Sequence, residues 1–166
     1  MKLTLGCRTE RHSFRNIGEA QARLTALGIE EAFFVPPPEM LSEMVGSDRL
    51  SQIASHPRQA DSPVLAFVSS DDEGIRSAVM FHQSHQEVGL WVRPNLRRSG
   101  VGMRAFQAAL SLQIEISGCY RLLAWIARHS SGDGYAMTSI LKHCGFEHVI
   151  AMPTGTLWAR NQNQSD

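Results

Sequence analysis

Apolar residues recur along this chain with two different periods, and the period changes several times. Between residues 14 and 27, Phe14, Ile17, Ala20, Leu24 and Leu27 fall at helical spacing, and Gly28 follows as a stop signal. Residues 1–8 ahead of this helix read as a first strand. Pro36, Pro37 and Pro38 break regular structure. Helical turns are expected after them, through Met40, Leu41 and Met44 and again near Leu50 and Ile53. Residues 56–63 read as a loop. Past this point the pattern turns strand-like. PVLAFVSS, IRSAVMFH and EVGLWV are three short apolar runs separated by the turn sequences DDEG and QSHQ. Such linkers are too short for crossover helices, so the three runs form an antiparallel meander.

The period then returns to that of a helix. From Gly102 to Ile116 the apolar stripe is broad, as suits a helix lying across a sheet. RLLAWIAR (121–128) is almost continuously apolar and reads as a central strand buried on both faces. Residues 135–144 form another helix, with Ala136, Met137, Ile140, Leu141 and Cys144 on one side and Gly145 as its cap. Residues 146–150 and 154–160 supply two last strands, and 161–166 form a polar tail. This order predicts one α/β domain over residues 1–160, with helices against a mixed sheet rather than an all-parallel one.

Composition narrows the function classes. Of 166 residues, 43% are apolar and 19% charged, which is globular. The formal net charge is zero, which argues against non-specific nucleic-acid or membrane binding. Cys7, Cys119 and Cys144 are an odd number without metal-like spacing. They predict no disulfide framework, no structural zinc or other metal, and a reducing cytoplasmic location. The first residues turn polar at once and lack a signal-peptide core. No run approaches the ~18 apolar residues of a membrane span.

The stretch VRPNLRRSGVG (92–102) carries the candidate chemistry. Pro94 sets a rigid exit from the third strand of the meander. The first amides of the following helix have no partner within it and, with the helix dipole, favour an anion. Gly100 and Gly102 let a ligand oxygen approach the backbone. Arg97 and Arg98 can add charge-assisted bonds to phosphate. The plain alternative is a solvated turn. The pattern is neither a Walker A loop nor a dinucleotide-binding GxGxxG.

LWVRPNLRRSGVGMRAFQAAL resembles the acetyl-coenzyme A segment of the GCN5-related N-acetyltransferase family. In that family a strand ending in V-x-P runs into R/Q-x-x-G-x-G/A at a helix start, matched here by Val92, Pro94, Arg97, Gly100 and Gly102. The later Gly145–Phe146 matches the family's second landmark, a helix ending in G-F before a strand. The resemblance implies a mixed, mostly antiparallel sheet of six to seven strands with a central splayed parallel pair, EVGLWV and LLAWIA. It further implies acetyl-coenzyme A as co-substrate, with the pantetheine arm on backbone groups of Leu90, Trp91 and Val92. The pyrophosphate would lie on the segment Arg97, Arg98, Ser99, Gly100, Val101, Gly102 and Met103.

The implied reaction is direct acetyl transfer to an amine, by a monomer or homodimer, with no covalent enzyme intermediate. Candidate bases are Glu87, at the start of its strand, and His82 and His85. For each, a surface role is the bland alternative. The family's asparagine and tyrosine of the second helix fall at Gly134 and Leu141, so both polar groups are missing. Tyr135, Ser130 or Ser131 could substitute through a shifted loop, or solvent could protonate the leaving thiolate. A catalytically silent acyl-coenzyme A binder is therefore the alternative reading. Residues 33–53, with Glu39, Glu43 and Asp48 among apolar side chains, are expected to wall the acceptor site.

Overall fold

A computed structural model describes residues 6–29, 63–82, 87–117, 121–128, 133–153 and 155–161. The expected helical turns after the prolines, the loop at 56–62, and His85, Cys119, Ser130 and Ser131 lie outside the described residues.

Seven strands form one sheet: β1 (Arg8–Phe14), β2 (Val64–Asp71), β3 (Gly74–His82), β4 (Glu87–Val92), β5 (Arg121–Ala127), β6 (Glu147–Met152) and β7 (Gly155–Asn161). Their spatial order is β1-β2-β3-β4-β5-β7-β6. The meander β2–β3–β4 is antiparallel, as its short turns require. Among the described strands, only β4 and β5 run parallel, joined through the helix between them.

The described helices are α1 (Ile17–Ala26), α2 (Val101–Ser117) and α3 (Asp133–His143). Asn16 caps α1 by accepting from the Glu19 amide at 2.9 Å, and the Glu19 carboxylate accepts from the Arg15 amide at 3.0 Å. This reciprocal pair closes the first turn. Gly28 ends α1 with φ +86°, and Gly145 ends α3 with φ +81°. In both cases the next residue donates back into the last turn, Ile29 to Leu24 and Phe146 to Leu141, each at 2.9 Å.

Of the strand expected at residues 1–8, residues 1–5 lie outside the described residues, and the first described strand is Arg8–Phe14 rather than a segment closing at Arg8. Its sequence RTERHSF has no apolar alternation because it is an edge strand with one neighbour, and only its last residue is buried. Pairing with β2 from Arg8↔Ser70 to Phe14↔Val64 organises it, and no local pattern announces that.

Alternation along the inner strands divides the core. Phe67, Val79, Phe81, Val88, Leu122 and Ala124 face Phe106, Ala109 and Leu110 of α2 and Leu141 of α3. Val64, Ala66, Val68, Ala78 and Met80 face Ala20 and Leu24 of α1. Fully buried side chains such as Phe106 and Leu24 each contribute about 1.5–3 kcal/mol. The two layers clamp β3 and β4, so β4 is a stiff platform.

Candidate active site

β4 is paired along its whole length on one side only. On the β3 side the register runs from His82↔Glu87 to Ser77↔Val92. On the β5 side, among the described residues, it consists of the pair Glu87↔Leu123. Beyond Glu87 the parallel strands diverge, leaving a V whose closed end is at Glu87 and whose open end is at Val92. The Arg93 amide donates to the Arg76 carbonyl at 2.8 Å, so residue 93 turns its backbone toward β3. The two-residue period of a strand then turns the backbone groups of Leu90 and Val92 into the gap.

At the mouth of the V the chain makes a tight turn. A 3₁₀ turn spans Pro94–Leu96, with Leu96 donating to the Arg93 carbonyl at 2.8 Å and Arg97 to the Pro94 carbonyl at 3.3 Å. Ser99 Oγ donates to the Leu96 carbonyl at 2.5 Å. Arg98 and Gly100 both take left-handed backbone, φ +62° and +82°. The first helical bond of α2 runs from the Arg104 amide to the Gly100 carbonyl at 3.2 Å. Among the described residues, the amides from Arg98 to Met103 therefore have no backbone partner. That is the anion-binding geometry of a helix N-terminus, extended by the preceding turn. The amide of Arg97, expected in this set, is instead engaged with Pro94.

The two glycines of the turn serve different ends. Gly100 supplies a conformation that costs other residues about 1–2 kcal/mol. Gly102 is buried, and a Cβ there would lie 3.0 Å from Val92 Cγ2 and 3.4 Å from Leu90 Cδ2 and Ile140 Cδ1. Its missing side chain lets α2 start directly against β4 and α3. The sequence reading of Gly102 as an opening for ligand gives way, on the side-chain side, to helix–strand packing.

The arginines separate as well. Arg97 is exposed, and its Nε donates to the Val92 carbonyl at 3.0 Å. Arg98 and Arg104 are exposed at the turn. Arg93 points the other way. It donates two hydrogen bonds to Asp71, at 3.1 and 2.9 Å, and reaches Glu73 at 3.2 Å. Arg93 therefore adds little net charge at the turn, where Arg97, Arg98 and Arg104 are the exposed arginines among the described residues.

At the closed end of the V, Glu87 and His82 are direct cross-strand partners. His82 is 1% exposed, whereas Glu87 is half-buried. Alternation puts Glu87, Gly89 and Trp91 on the α1 face, where Trp91 packs against the second core layer. Leu123 and Trp125 of β5 share that face, because Leu122, Ala124 and Ile126 belong to the other. Trp125, read from sequence as core, is only half-buried, and its ring lies over Gly155 of β7. The alternation of RLLAWIA carried that signal.

On α3, Leu141 is 0% exposed within the main core, so the residue replacing the family tyrosine is a packing residue. Tyr135 is 90% exposed and is not drawn inward. Cys144 is half-buried against the core, and burial pushes its thiol above the ordinary range, with Arg160 opposing. A separate cavity of about 280 Å³ lies on the other flank of α2, lined by Thr9, Phe67, Ser69, Ser77, Arg104 and Ala108 among others. It is not the V. Among the described residues no group of three metal-ligating side chains occurs, and no helix is long and apolar enough to cross a membrane.

No family model and no curated protein sequence matches the chain. Solved structures do. The Campylobacter jejuni N-acetyltransferase PseH in complex with acetyl coenzyme A matches with TM-score 0.54 and 14% identity, over 94% of this chain and 100% of that one. The ribosomal-protein-S18-alanine N-acetyltransferase from Escherichia coli matches with TM-score 0.52 and 14% identity, over 96% and 97%. The PaiA N-acetyltransferase from Thermoplasma acidophilum, in complex with coenzyme A, matches with TM-score 0.52 and 11% identity, over 92% and 99%. At such identities the likeness is one of fold. The chain has the GCN5-related N-acetyltransferase fold, with its mostly antiparallel seven-stranded sheet and central parallel pair.

Proposed function

We propose that this protein is an N-acetyltransferase that moves the acetyl group of acetyl-coenzyme A to a primary amine. The observation that carries the reading is a juxtaposition. A parallel strand pair held by one register pair opens toward a turn whose amides from Arg98 to Met103 lack backbone partners. An extended, amide-bearing arm ending in a pyrophosphate matches both features at once. The Leu90 backbone groups and the Val92 amide would hold the arm, the Val92 carbonyl being engaged by Arg97, and the turn amides with Arg97 and Arg98 would hold the pyrophosphate. Two of the solved structures sharing this fold are coenzyme complexes, which supports the same ligand class.

Acetyl-coenzyme A would supply an activated thioester. The chain must then hold the amine near it and remove a proton. Glu87 is the better-placed base, because it sits at the closed end of the V and is only partly buried, whereas His82 is 1% exposed. The amine nitrogen bonds to the acetyl carbon, the carbon–sulfur bond breaks, and the amine proton passes to Glu87 directly or through water. With Leu141 buried and Tyr135 turned outward, the departing thiolate takes its proton from solvent.

That same absence of an acid favours a second reading, an acyl-coenzyme A binder without turnover. Two measurements decide. Coenzyme A binding by calorimetry tests the shared assignment, and no binding at all would reject both readings. Thiol release from acetyl-coenzyme A across a panel of small amines, polyamines, amino acids and peptides separates them. Amine-dependent release establishes the transferase, and binding without release on any amine favours the silent module.

A further inference from the structure

The charge cluster around Arg93 is a built device with no role in the chemistry above. Asp71 closes the β2–β3 hairpin, two strands away from the gap. It accepts two hydrogen bonds from the Arg93 guanidinium, and Arg76 approaches the same carboxylate at 3.6 Å. The Arg93 and Asp71 side chains are only 16% and 27% exposed. The Asp71 carboxylate also accepts from the Glu73 amide at 2.9 Å, which fixes it within its own turn. The third edge of the Arg93 guanidinium, Nε, donates to Asn95 Oδ1 at 3.1 Å, inside the 3₁₀ turn. One planar group thus bolts the hairpin end to the first residues of the phosphate turn.

The backbone reinforces this. The Arg93 amide bonds the Arg76 carbonyl, and the Arg93 carbonyl accepts from Leu96. The backbone bonds that tie the end of β4 to β3 and to the start of the 3₁₀ turn both use Arg93, and Asp71 holds the Arg93 side chain. Two fork-matched, charge-assisted bonds define an orientation as well as an attraction.

We propose that Asp71 is a positioning residue for the cofactor. Through Arg93 it sets the pitch of the turn that presents the Arg98–Met103 amides, although it touches no part of the gap. The proposal rests on the coenzyme reading of that turn, and one of its tests does not.

That first test needs no ligand. Amide hydrogen exchange is followed at Arg93, Leu96 and Arg97 in wild type, Asp71→Asn and Asp71→Glu. Asp71→Asn should speed exchange at these three amides at least about tenfold, with α3 unchanged; tenfold is about 1.4 kcal/mol of lost local stability. Equal protection in a folded Asp71→Asn overturns the proposal, whatever the protein binds. The second test is kinetic. Asp71→Asn should raise the Kd for coenzyme A and the KM for acetyl-coenzyme A about tenfold, with the amine KM unchanged. Asp71→Glu should recover most of the loss, and Arg93→Lys, which keeps charge but loses the fork, should not. The Asp71→Asn, Arg93→Lys double variant should be no worse than either single one, as expected for two halves of one contact. Additive losses, or a shared change in both KM values, would overturn it. Wild type that fails to bind coenzyme A while the exchange result holds would reject the ligand reading and leave the clamp standing. Should Asp71→Asn fail to fold, Arg93→Lys carries both measurements.

Discussion

Among the described residues, Glu87 and Leu123 are the register pair that joins the parallel strands β4 and β5. This contact makes the gap a V rather than a slot, and it puts a carboxylate at the apex. Glu87→Gln keeps the shape and removes the basic oxygen. Turnover should fall on the order of 100-fold, as expected for loss of a general base. The coenzyme A Kd should change by less than about threefold on the same grounds, since the turn proposed to hold the pyrophosphate is at the other end of β4. Steady-state rates across pH check this. A rate unchanged at every pH would remove Glu87 from the chemistry.

Much of this was legible in the sequence, for a physical reason in each case. VRPNLRRSGVG could be read because Pro94 and Gly100 impose local geometry, and local geometry is written locally. The meander could be read because DDEG and QSHQ are too short for anything else. β1 could not, because an edge strand of alternating exposure carries no apolar signal. The direction of Arg93 could not either, because its partner Asp71 lies 22 residues away in sequence and meets it only once β2, β3 and β4 have paired. Gly102 reads by spacing as a ligand opening, and the position of Val92 adds a packing reason for glycine that spacing does not show.

Arg98 allows binding to be separated from stability. It is a non-glycine residue at φ +62°, exposed, in the turn that would hold the pyrophosphate. Arg98→Gly relieves a left-handed backbone cost but frees the unfolded chain, so stability should shift by less than about 1 kcal/mol. Coenzyme A affinity should nevertheless fall severalfold, and less steeply at high salt, through the lost phosphate contact. Calorimetry with a denaturant titration measures both. Affinity matching wild type at low salt would take Arg98 out of the site.

Cys144 and Cys7 should differ in reactivity. Burial raises the Cys144 thiol, with Arg160 only partly offsetting it, so little thiolate is present at neutral pH. Cys7 is exposed. Iodoacetamide at neutral pH should label Cys7 at least about tenfold faster than Cys144 in the folded protein. Peptide mass spectrometry over time checks the order. Comparable rates would mean the thiol end of α3 opens readily.

The Asp71–Arg93 clamp also predicts a pH dependence. The hydrogen bond from Arg93 holds the Asp71 carboxyl below its ordinary value of 3.8, with the Glu73 amide assisting and burial opposing. A carboxylate depressed in the folded state stabilises fully above its unfolded pKa and loses that contribution as pH falls through its folded pKa. Wild type should therefore out-melt Asp71→Asn by a constant margin at neutral and mildly acidic pH. The margin should begin to shrink only below about pH 4. Paired thermal melts measure it. A margin that already collapses between pH 7 and pH 5 would mean another group supplies the effect.

Gly155 opens β7 opposite Ala127. A Cβ on it would lie 2.3 Å from the Ile126 carbonyl oxygen and 2.6 Å from the Trp125 ring. The ring can turn away, whereas the carbonyl belongs to the backbone of an interior strand and cannot. Gly155→Ala should cost on the order of 3 kcal/mol, the upper range for overpacking. Trp125→Ala in the same chain should not rescue it, because the carbonyl clash remains. Urea denaturation of the two single variants and the double variant tests this. If Trp125→Ala restores the Gly155→Ala midpoint, the ring rather than the carbonyl sets the limit. β5 then has room to move beside the gap.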